Sequence, residues 1–337
     1  MSVVPTPVAD ILATNMHPQM KTIKISLVGT PHDYQQGLLP VIIRDLGYRI
    51  QWVKPVLCDL QIHGSFFQQN EKRYRWLPRP VRPFASNLEL ALKGNLGSRS
   101  NAPLSLFHTA ENIRHDAVEA DYSITFDLSI HSDRHFRFPY WMEMIDWSHE
   151  GLRGNQNLRF GQLLTISRMM QPLGNNFLRR PRSVAIFSSH LREPRATLVR
   201  AVESFAPLKG FGPYFDKNIL DHHLSGFSKI DILQDFAFNL CPENGLYPGY
   251  YTEKIPEAFV AGCLPLTWTD TNVCADFNPK AFINLEPMSW QDFEPLKDII
   301  NSPTQLECFA EQALLLNIPS IEPMKDFLRE IVRQALS

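Results

Sequence analysis

The sequence predicts an α/β protein of two consecutive domains, and three observations support this prediction. Strand-like and helix-like patterns alternate over residues 24–53 and alternate again from residue 183 onward. The stretch between them, residues 150–176, is richer in Gly, Asn, Gln and Arg and has weaker periodicity. The length of 337 residues is also one that two domains fill more readily than one or three.

The first alternation begins with an apolar run that ends at Gly29 and continues to about Tyr140. Its helical segment places aliphatic residues three and four positions apart, whereas its strands are short apolar runs. The elements expected here are a strand over 24–29, a helix over 36–47, and strands over 48–53, 103–107 and 121–126. Strands separated by a helix in this way predict a parallel sheet.

The second alternation has the same character and ends in a separate helix. The elements expected here are strands over 183–187, 236–240 and 264–268, helices over 195–205 and 252–261, and a short amphipathic helix over 324–336. We therefore assign residues 1–155 to the first domain, 156–323 to the second, and 324–337 to a terminal helix.

Composition excludes several classes of function. The formal net charge of -2 and the pI of about 6.6 give no broad positive field, so nucleic acid is not expected as a partner. The first 20 residues lack a continuous apolar segment, and no apolar run reaches the length of a membrane span. The five cysteines are scattered without a C-x-x-C pair, as is typical of a reducing compartment. We expect a soluble, cytoplasmic protein.

One short basic segment qualifies that expectation. Residues 178–182 contain three arginines, which could attract anionic lipid at the inner membrane or could form a solvated linker. Weak peripheral membrane association is therefore kept as an alternative.

The most informative segment follows the strand predicted at 236–240. A Gly-, Pro- and Tyr-rich loop leads to Thr252, a plausible N-cap, and Lys254 then falls in the first turn of a helix. A lysine opposes the helix dipole there, unless an anion lies between it and the free N–H groups. An anion site and an incidental, solvated lysine are both compatible with this pattern.

The same segment resembles the signature of the family 10 α-1,3/1,4-fucosyltransferases. The matching residues are Phe238, Leu240, Glu243, Asn244, Tyr250, Thr252, Glu253, Lys254, Ala261, Gly262 and Pro265. Residues 276–284 are similar to the bacterial branch of that family. The resemblance implies a GT-B fold, in which two Rossmann-like domains face each other, the first binding the acceptor and the second the donor. It also implies that the terminal helix crosses back to the first domain.

Two further blocks extend the resemblance to both domains. Residues 107–112 and 121–140 are similar to the family's acceptor-domain block, whose glutamate is the general base and corresponds to Glu111. Residues 188–200 are similar to the block that contains a phosphate-binding arginine, which corresponds to Arg195. The chain departs from the family at Ser189-His190, where Ser-Asn is usual.

The function implied is the inverting transfer of L-fucose from GDP-β-L-fucose to the 3-hydroxyl of GlcNAc or Glc in N-acetyllactosamine- or lactose-type acceptors. Such products are Lewis-type glycans of bacterial surface polysaccharide. We expect Glu111, in an apolar setting that raises its basicity, to act as the base, and Glu253 to serve catalysis or the donor. The other donor residues are Arg195, Asn244, Tyr250, Thr252 and Lys254.

The acceptor residues are less fully specified by the motifs. His108, Asn112, Phe136 and Tyr140 are candidates, although the aromatic residues could equally belong to the core. No metal or other cofactor is expected, since the chain contains no Asp-x-Asp. The alternatives are a GT-B transferase for another nucleotide sugar and a non-catalytic module that binds a nucleotide sugar or glycan.

Overall fold

The computed structural model describes residues 20–66, 102–154, 163–216, 229–288 and 292–337. Within these ranges the chain forms two parallel β-sheets flanked by helices, which confirms the predicted α/β class with two Rossmann-like units. The domain boundary placed between residues 155 and 156 lies outside the described residues.

The first sheet contains strands whose buried residues are mostly aliphatic. Its strands are β1 (Lys21–Val28), β2 (Tyr48–Trp52), β3 (Leu60–His63), β4 (Leu104–His108), β5 (Tyr122–Thr125) and β6 (His135–Arg137). They are all parallel, in the order β2-β1-β3-β4-β5-β6. Helix α1 (Leu38–Asp45) buries its aliphatic residues because they recur at helical spacing.

The second sheet repeats this design with five strands. They are β7 (Val184–Phe187), β8 (Leu208–Phe211), β9 (Phe238–Leu240), β10 (Leu264–Thr267) and β11 (Ile283–Asn284). Their order is β11-β10-β9-β7-β8, again entirely parallel. The sequence prediction did not include β3, β6, β8 or β11.

The described helices beyond α1 connect or cover these strands. They are α2 (Tyr140–Glu143), α3 (Ile166–Met169), α4 (Asn176–Arg179), α5 (Arg195–Glu203), α6 (Lys229–Leu233), α7 (Lys254–Val260), α8 (Glu294–Asn301), α9 (Pro303–Ala310) and α10 (Glu322–Ala335). Of these, only α5, α7 and α10 were predicted. Short 3-10 segments cover Tyr34–Gln36, Pro55–Leu57, Trp147–Glu150 and Thr271–Ala275.

The last helix, α10, packs against the first sheet rather than the second. The Tyr122 hydroxyl donates to Gln334 Oε1 at 2.8 Å, and Phe327 contacts the rings of Tyr122 and Phe136 with centroids 5.8 and 5.3 Å away. Lys325 lies 3.4 Å from Asp45 at the end of α1. The chain therefore returns to its first half after completing the second sheet.

Each sheet has a point where the winding direction reverses. In the second sheet this point lies between β7 and β9, which are neighbours although β8 separates them in sequence. Loops that leave the carboxyl ends of such strands diverge and open a crevice, the usual place for a ligand in parallel α/β sheets. The loops after β7 and β9 contain residues 188–194 and 241–253.

Candidate active site

Glu243 organises the loop that follows β9. Its carboxylate is fully buried and accepts a hydrogen bond from the Thr252 amide at 2.8 Å. The Thr252 hydroxyl lies 2.9 and 2.8 Å from the two carboxylate oxygens. The prediction that Thr252 caps α7 is therefore wrong: Glu253 occupies the N-cap position, without a side-chain cap. Thr252 binds the buried carboxylate because a charge without partners in that position would be costly.

Lys254, the first residue of α7, is the cation that the sequence placed at a helix start. Its Nζ donates to Glu243 Oε2 at 3.0 Å and to Thr252 Oγ1 at 2.7 Å, and it lies 3.9 Å from Glu253 Oε1. Burial opposes its charge, but Glu243 and Glu253 outweigh burial and raise the pKa of Lys254 above its ordinary value. Lys254 is therefore a permanent cation, and one of its three N–H donors remains for a ligand.

Arg195 lies at the reversal point of the second sheet. It is the first residue of α5 and only 7% exposed, so it is not a solvated helix charge. One terminal nitrogen donates to Asn244 Oδ1, and the other lies 3.1 Å from His190 Nε2 and 3.4 Å from Ser188 Oγ. Ser188 follows β7 and Asn244 follows β9, so the guanidinium bridges the two loops of the crevice.

His190, the departure from the family pattern, is thus part of this site. Burial and the neighbouring charges of Arg195 and Arg192 lower the pKa of His190. A neutral imidazole can accept a hydrogen bond from the Arg195 guanidinium, whereas an imidazolium would repel it. His190 consequently orients Arg195, a role that the sequence pattern did not identify.

Tyr250 lies beside Asn244, the partner of Arg195. Its hydroxyl lies 3.5 Å from Asn244 Nδ2, and burial together with the charge of Glu243 raises its pKa. The donor residues predicted from the sequence are therefore contiguous: Arg195 contacts Asn244, Asn244 contacts Tyr250, and Glu243 contacts Thr252 and Lys254.

Two charged residues of this region were missed by the sequence analysis. Lys229, the first residue of α6, pairs with Glu257 on α7, and both are largely buried. Burial disfavours the ionised form of Glu253, but Lys254 and Lys229 outweigh it and lower the pKa of that carboxyl. The sequence feature that could have identified this pair is Glu257, a carboxylate on the otherwise apolar buried face of α7.

On the first sheet, the residues after β4 form a short turn that presents Glu111. The Thr109 hydroxyl accepts from the Glu111 amide at 3.0 Å and lies 2.7 Å from Ser65 Oγ, so the turn is anchored to the loop after β3. The Glu111 side chain is exposed. The predicted apolar setting is wrong because β4 ends at His108, and the chain has left the sheet by the third residue beyond it.

The turn at Glu111 faces the donor loop of the second domain. The charge of Glu111 contributes, after burial and Glu243, to the raised pKa of Tyr250. The position that a Cβ would take at Gly245 lies 2.8 Å from Asn112 Nδ2. The candidate base and the donor residues therefore share one cleft.

Aromatic contacts and a cation–π contact close that cleft at one side. Phe126, after β5, packs edge-on against Tyr250 and Tyr247, with centroids 5.0 and 5.5 Å away. Arg114 lies over the Tyr247 ring, 3.9 Å from its centroid. Gly249 has a positive φ of 94° and backs onto the Phe126 carbonyl, where a side chain would clash.

The acceptor candidates fall into different environments. His108 is buried between Tyr34 and Glu143, and Asn112 lies in the cleft beside Gly245. Tyr140 begins α2 and is partly buried. Phe136 packs against Phe138 and against Phe327 of α10, which fits the core alternative for this residue.

Two other sequence hypotheses concern metal and membrane. Among the described residues, no group of three or more His, Cys, Asp and Glu side chains could hold a metal ion. No described helix has both the length and the apolar character needed to cross a bilayer.

In the basic segment, Arg180 donates to the Phe236 and Ala261 carbonyls at 2.9 and 3.0 Å, and Arg182 donates to the Ile300 carbonyl at 3.2 Å. Two of its arginines thus serve internal structure.

Comparison with known proteins agrees with these features. Residues 93–144 match the model of the alpha-(1,3)-fucosyltransferase FucT N-terminal domain, which spans the segment containing Glu111. The chain is 26% identical over 217 residues to the alpha-(1,3)-fucosyltransferase FucT of Helicobacter pylori. This match covers 58% of the chain. The match spans 43% of that relative's length, less than half of it.

Solved structures extend the likeness to nearly the whole fold. A crystal structure of an alpha1,3-fucosyltransferase with GDP aligns over 94% of the chain and 92% of its own length, with a TM-score of 0.63 and 19% identity. A crystal structure of an alpha1,3-fucosyltransferase with GDP-fucose aligns over 94% of the chain and 92% of its own length, with a TM-score of 0.60 and 19% identity. At this identity the likeness shows the fold, which is GT-B as the motifs implied. The chain thus combines a fold like that of the solved alpha1,3-fucosyltransferases with a segment that matches the FucT N-terminal domain model, and it is similar in sequence to one enzyme of that kind.

Proposed function

We propose that the protein is an inverting α-1,3-fucosyltransferase that uses GDP-β-L-fucose. The observation that supports this most strongly is geometric: Asn112, next to Glu111 in the first domain, lies against Gly245 in the loop whose Asn244 holds Arg195. A base on one side and phosphate-binding cations on the other are what transfer from a nucleoside diphosphate sugar requires. The names of the sequence relative and the solved structures agree with it.

The donor diphosphate is proposed to lie between Arg195 and Lys254. Both residues begin helices at the carboxyl side of the second sheet, so their charges add to the free N–H groups there. Because both cations are already held by Asn244 and Glu243, little side-chain entropy is lost when the diphosphate binds. Asn244 and Tyr250 then line the nucleotide pocket.

The transfer step is a single displacement. The oxygen of the acceptor hydroxyl attacks the anomeric carbon of fucose while the bond from that carbon to the β-phosphate oxygen breaks. The electron pair of the broken bond leaves with GDP, and the hydroxyl proton passes to the Glu111 carboxylate. Attack from the face opposite the leaving group converts the β-linkage of the donor into an α-linkage. Arg195 and Lys254 stabilise the negative charge that builds on GDP.

Two roles fit the ionised Glu253. Its carboxylate can face the positive charge that develops on the fucosyl ring, or it can accept a hydrogen bond from a ribose hydroxyl. Glu253→Gln separates them: loss of kcat with unchanged GDP affinity assigns the first role, and weaker GDP affinity assigns the second.

We propose the 3-hydroxyl of GlcNAc or Glc in lactose- and N-acetyllactosamine-type acceptors as the site of transfer, in the synthesis of Lewis-type surface glycans. The α-1,3 linkage in the names of the relatives supports this choice. A cytoplasmic location fits the absence of disulfide bonds among the described cysteines. Peripheral contact with the inner membrane remains a proposal, in which the exposed Arg179 would be the available arginine of the basic segment.

Incubation of the purified protein with GDP-fucose and lactose or N-acetyllactosamine tests this function. NMR analysis of the product should show one α-linked fucose on O3 of the glucose or N-acetylglucosamine. A parallel panel of GDP- and UDP-sugars tests the alternative donor: turnover only with another sugar nucleotide would replace GDP-fucose. Tight GDP binding without turnover of any donor would support the non-catalytic alternative.

A further inference from the structure

A second polar cluster lies in the first domain, beside the turn that presents Glu111. His108, the last residue of β4, is buried, with its Nδ1 2.8 Å from the Tyr34 hydroxyl and its Nε2 3.0 Å from Glu143 Oε1. Tyr34 comes from the loop after β1 and Glu143 from the end of α2, which follows β6. Three separate strand ends therefore converge on one imidazole.

The hydrogen bonds of this cluster have a defined direction. Burial, and secondarily the charge of Glu143, raises the pKa of Tyr34, so the phenol keeps its proton and can donate it to Nδ1. The Nε2–H of His108 then donates to the Glu143 carboxylate. This arrangement uses both imidazole nitrogens, and it fixes one oxygen of Glu143 while the other keeps its acceptor capacity. His108 itself has no nitrogen left for a ligand.

Glu143 lies close to the junction between the two domains. Its side chain is 14% exposed, so it is reachable at its edge. Two residues earlier on α2, Trp141 donates to Asp276 of the second domain at 2.9 Å, so this helix lies along the junction between the domains. His108 is three residues before Glu111 on the other side of the cluster. The carboxylate and the candidate base thus share the carboxyl edge of the first sheet.

We infer that Glu143 binds a hydroxyl of the acceptor sugar and determines acceptor specificity, with His108 and Tyr34 as its positioning residues. The inference rests on the proposed function and adds the residue that recognises the acceptor. A carboxylate suits a pyranose hydroxyl because it accepts a hydrogen bond in a fixed direction, and a charged acceptor strengthens that bond. Buried hydrogen-bonded partners hold it in place before the sugar arrives, so little order is lost on binding.

The test compares Glu143→Gln with the wild-type enzyme on lactose and on a set of monodeoxy lactosides. The variant should raise KM for lactose about tenfold or more, as expected for a lost charge-assisted hydrogen bond, and leave GDP affinity unchanged. One deoxy lactoside should have a raised KM with the wild-type enzyme, because it lacks the hydroxyl that Glu143 binds. Glu143→Gln should raise the KM of that lactoside little further, since the hydroxyl and the carboxylate form one contact. Glu150→Gln removes the same charge from an exposed position and is the matched control.

Tyr34→Phe provides a second variant if Glu143→Gln does not fold. It removes only the hydroxyl that fixes His108, so it should raise KM for lactose with kcat nearly unchanged. Identical losses on every deoxy lactoside for wild type and variant would overturn the inference. Binding of lactose to the enzyme–GDP complex, followed by saturation-transfer NMR, gives a readout without turnover. Lactose binding that Glu143→Gln abolishes would uphold the inference even if fucose transfer fails.

Discussion

Arg137 and Asp276 join the two domains through a bidentate ion pair. The terminal nitrogens of Arg137 on β6 donate to Asp276 Oδ1 and Oδ2 at 2.9 and 2.8 Å. The Trp141 indole donates to the same carboxylate at 2.9 Å, and the carboxylate is only 6% exposed. Because all three donors come from the first domain and Asp276 belongs to the second, this carboxylate links the two domains.

Breaking this link should lower activity by changing how the domains face each other. Asp276→Asn leaves the partly buried Arg137 without its anionic partner, a change that typically costs a few kcal/mol of stability. We expect a lower melting temperature and a kcat/KM at least about tenfold lower, since Glu111 and the donor residues lie on opposite domains. Asp298→Asn, an exposed change in the second domain, is the control.

Small-angle scattering gives this prediction an independent measurement. The Asp276→Asn protein should have a larger radius of gyration than wild type, and GDP should reduce the difference. A variant with wild-type kinetics and dimensions would show that other contacts alone hold the domains together.

Activity should not depend on a divalent metal. Arg195 and Lys254 are proposed to supply the positive charge that a metal provides in other transferases. Turnover of GDP-fucose with lactose should therefore survive dialysis against EDTA. Nearly complete loss of turnover with chelator, restored by manganese or magnesium, would contradict the prediction.

Removing either cation should affect catalysis more than binding. Lys254→Ala and Arg195→Ala each remove charged hydrogen bonds to the diphosphate, worth roughly 1.5–3 kcal/mol apiece. The loss in kcat should exceed the loss in GDP affinity, since negative charge grows on the diphosphate as GDP departs. Arg200→Ala, on the exposed face of α5, is a control for loss of charge. A raised KM with unchanged kcat would mean that the cations bind donor and transition state equally.

Asp127 should make stability depend on pH. Burial opposes its charge, but hydrogen bonds from Thr125, Arg114 and the His115 amide lower its pKa in the folded protein. Its stabilising contribution is therefore present above the unfolded-state pKa, near 3.9, and is lost as pH falls through the lower folded-state value. Asp127→Asn should lower the melting temperature at neutral pH, and the gap from wild type should narrow towards pH 3. A gap that is constant with pH would indicate a contribution from packing alone.

The sequence predicted those parts of the fold and site that are local in the chain. Strands β7, β9 and β10 lie within the mostly apolar runs at 183–187, 236–240 and 264–268, and the predicted donor motif lies within one loop and helix. Strand β11 has two residues, and β8 contains a lysine and a glycine, so neither has a distinctive pattern. Periodicity detects only elements long enough to repeat it.

Contacts between distant segments could not be predicted in this way. The pairing of His108 with Glu143, or of Arg137 with Asp276, joins residues 35 and 139 positions apart. Thr252 illustrates the same limit within a motif. Local preference favours a helix cap at this residue, but its hydroxyl instead binds the buried Glu243 carboxylate, which would be costly without a hydrogen-bond partner. A hydrogen bond in the tertiary structure therefore overrides the local preference of threonine for the N-cap.

Glu111→Gln isolates the proposed base. The substitution preserves size and the backbone turn held by Thr109, but the amide cannot accept the proton of the attacking hydroxyl. General-base catalysis typically contributes about 10²–10⁴-fold, so kcat should fall by that order. GDP-fucose binding should remain close to wild type, because no described contact of Glu111 holds the donor cations. Calorimetry with GDP and transfer to lactose measure the two halves of this prediction.

The pH profile and a matched variant complete that test. A general base at this position predicts that the pH profiles of kcat differ between the wild-type enzyme and Glu111→Gln. Glu150→Gln, an exposed change elsewhere in the first domain, should leave both the rate and the profile unaltered. If Glu111→Gln turns over within a few-fold of wild type while binding GDP normally, the base is another carboxylate, and Asp116 and Glu119 become the next to replace. If GDP binding is lost as well, Glu111 supports the loop after β9 across the cleft. The loss of turnover then says nothing about proton transfer.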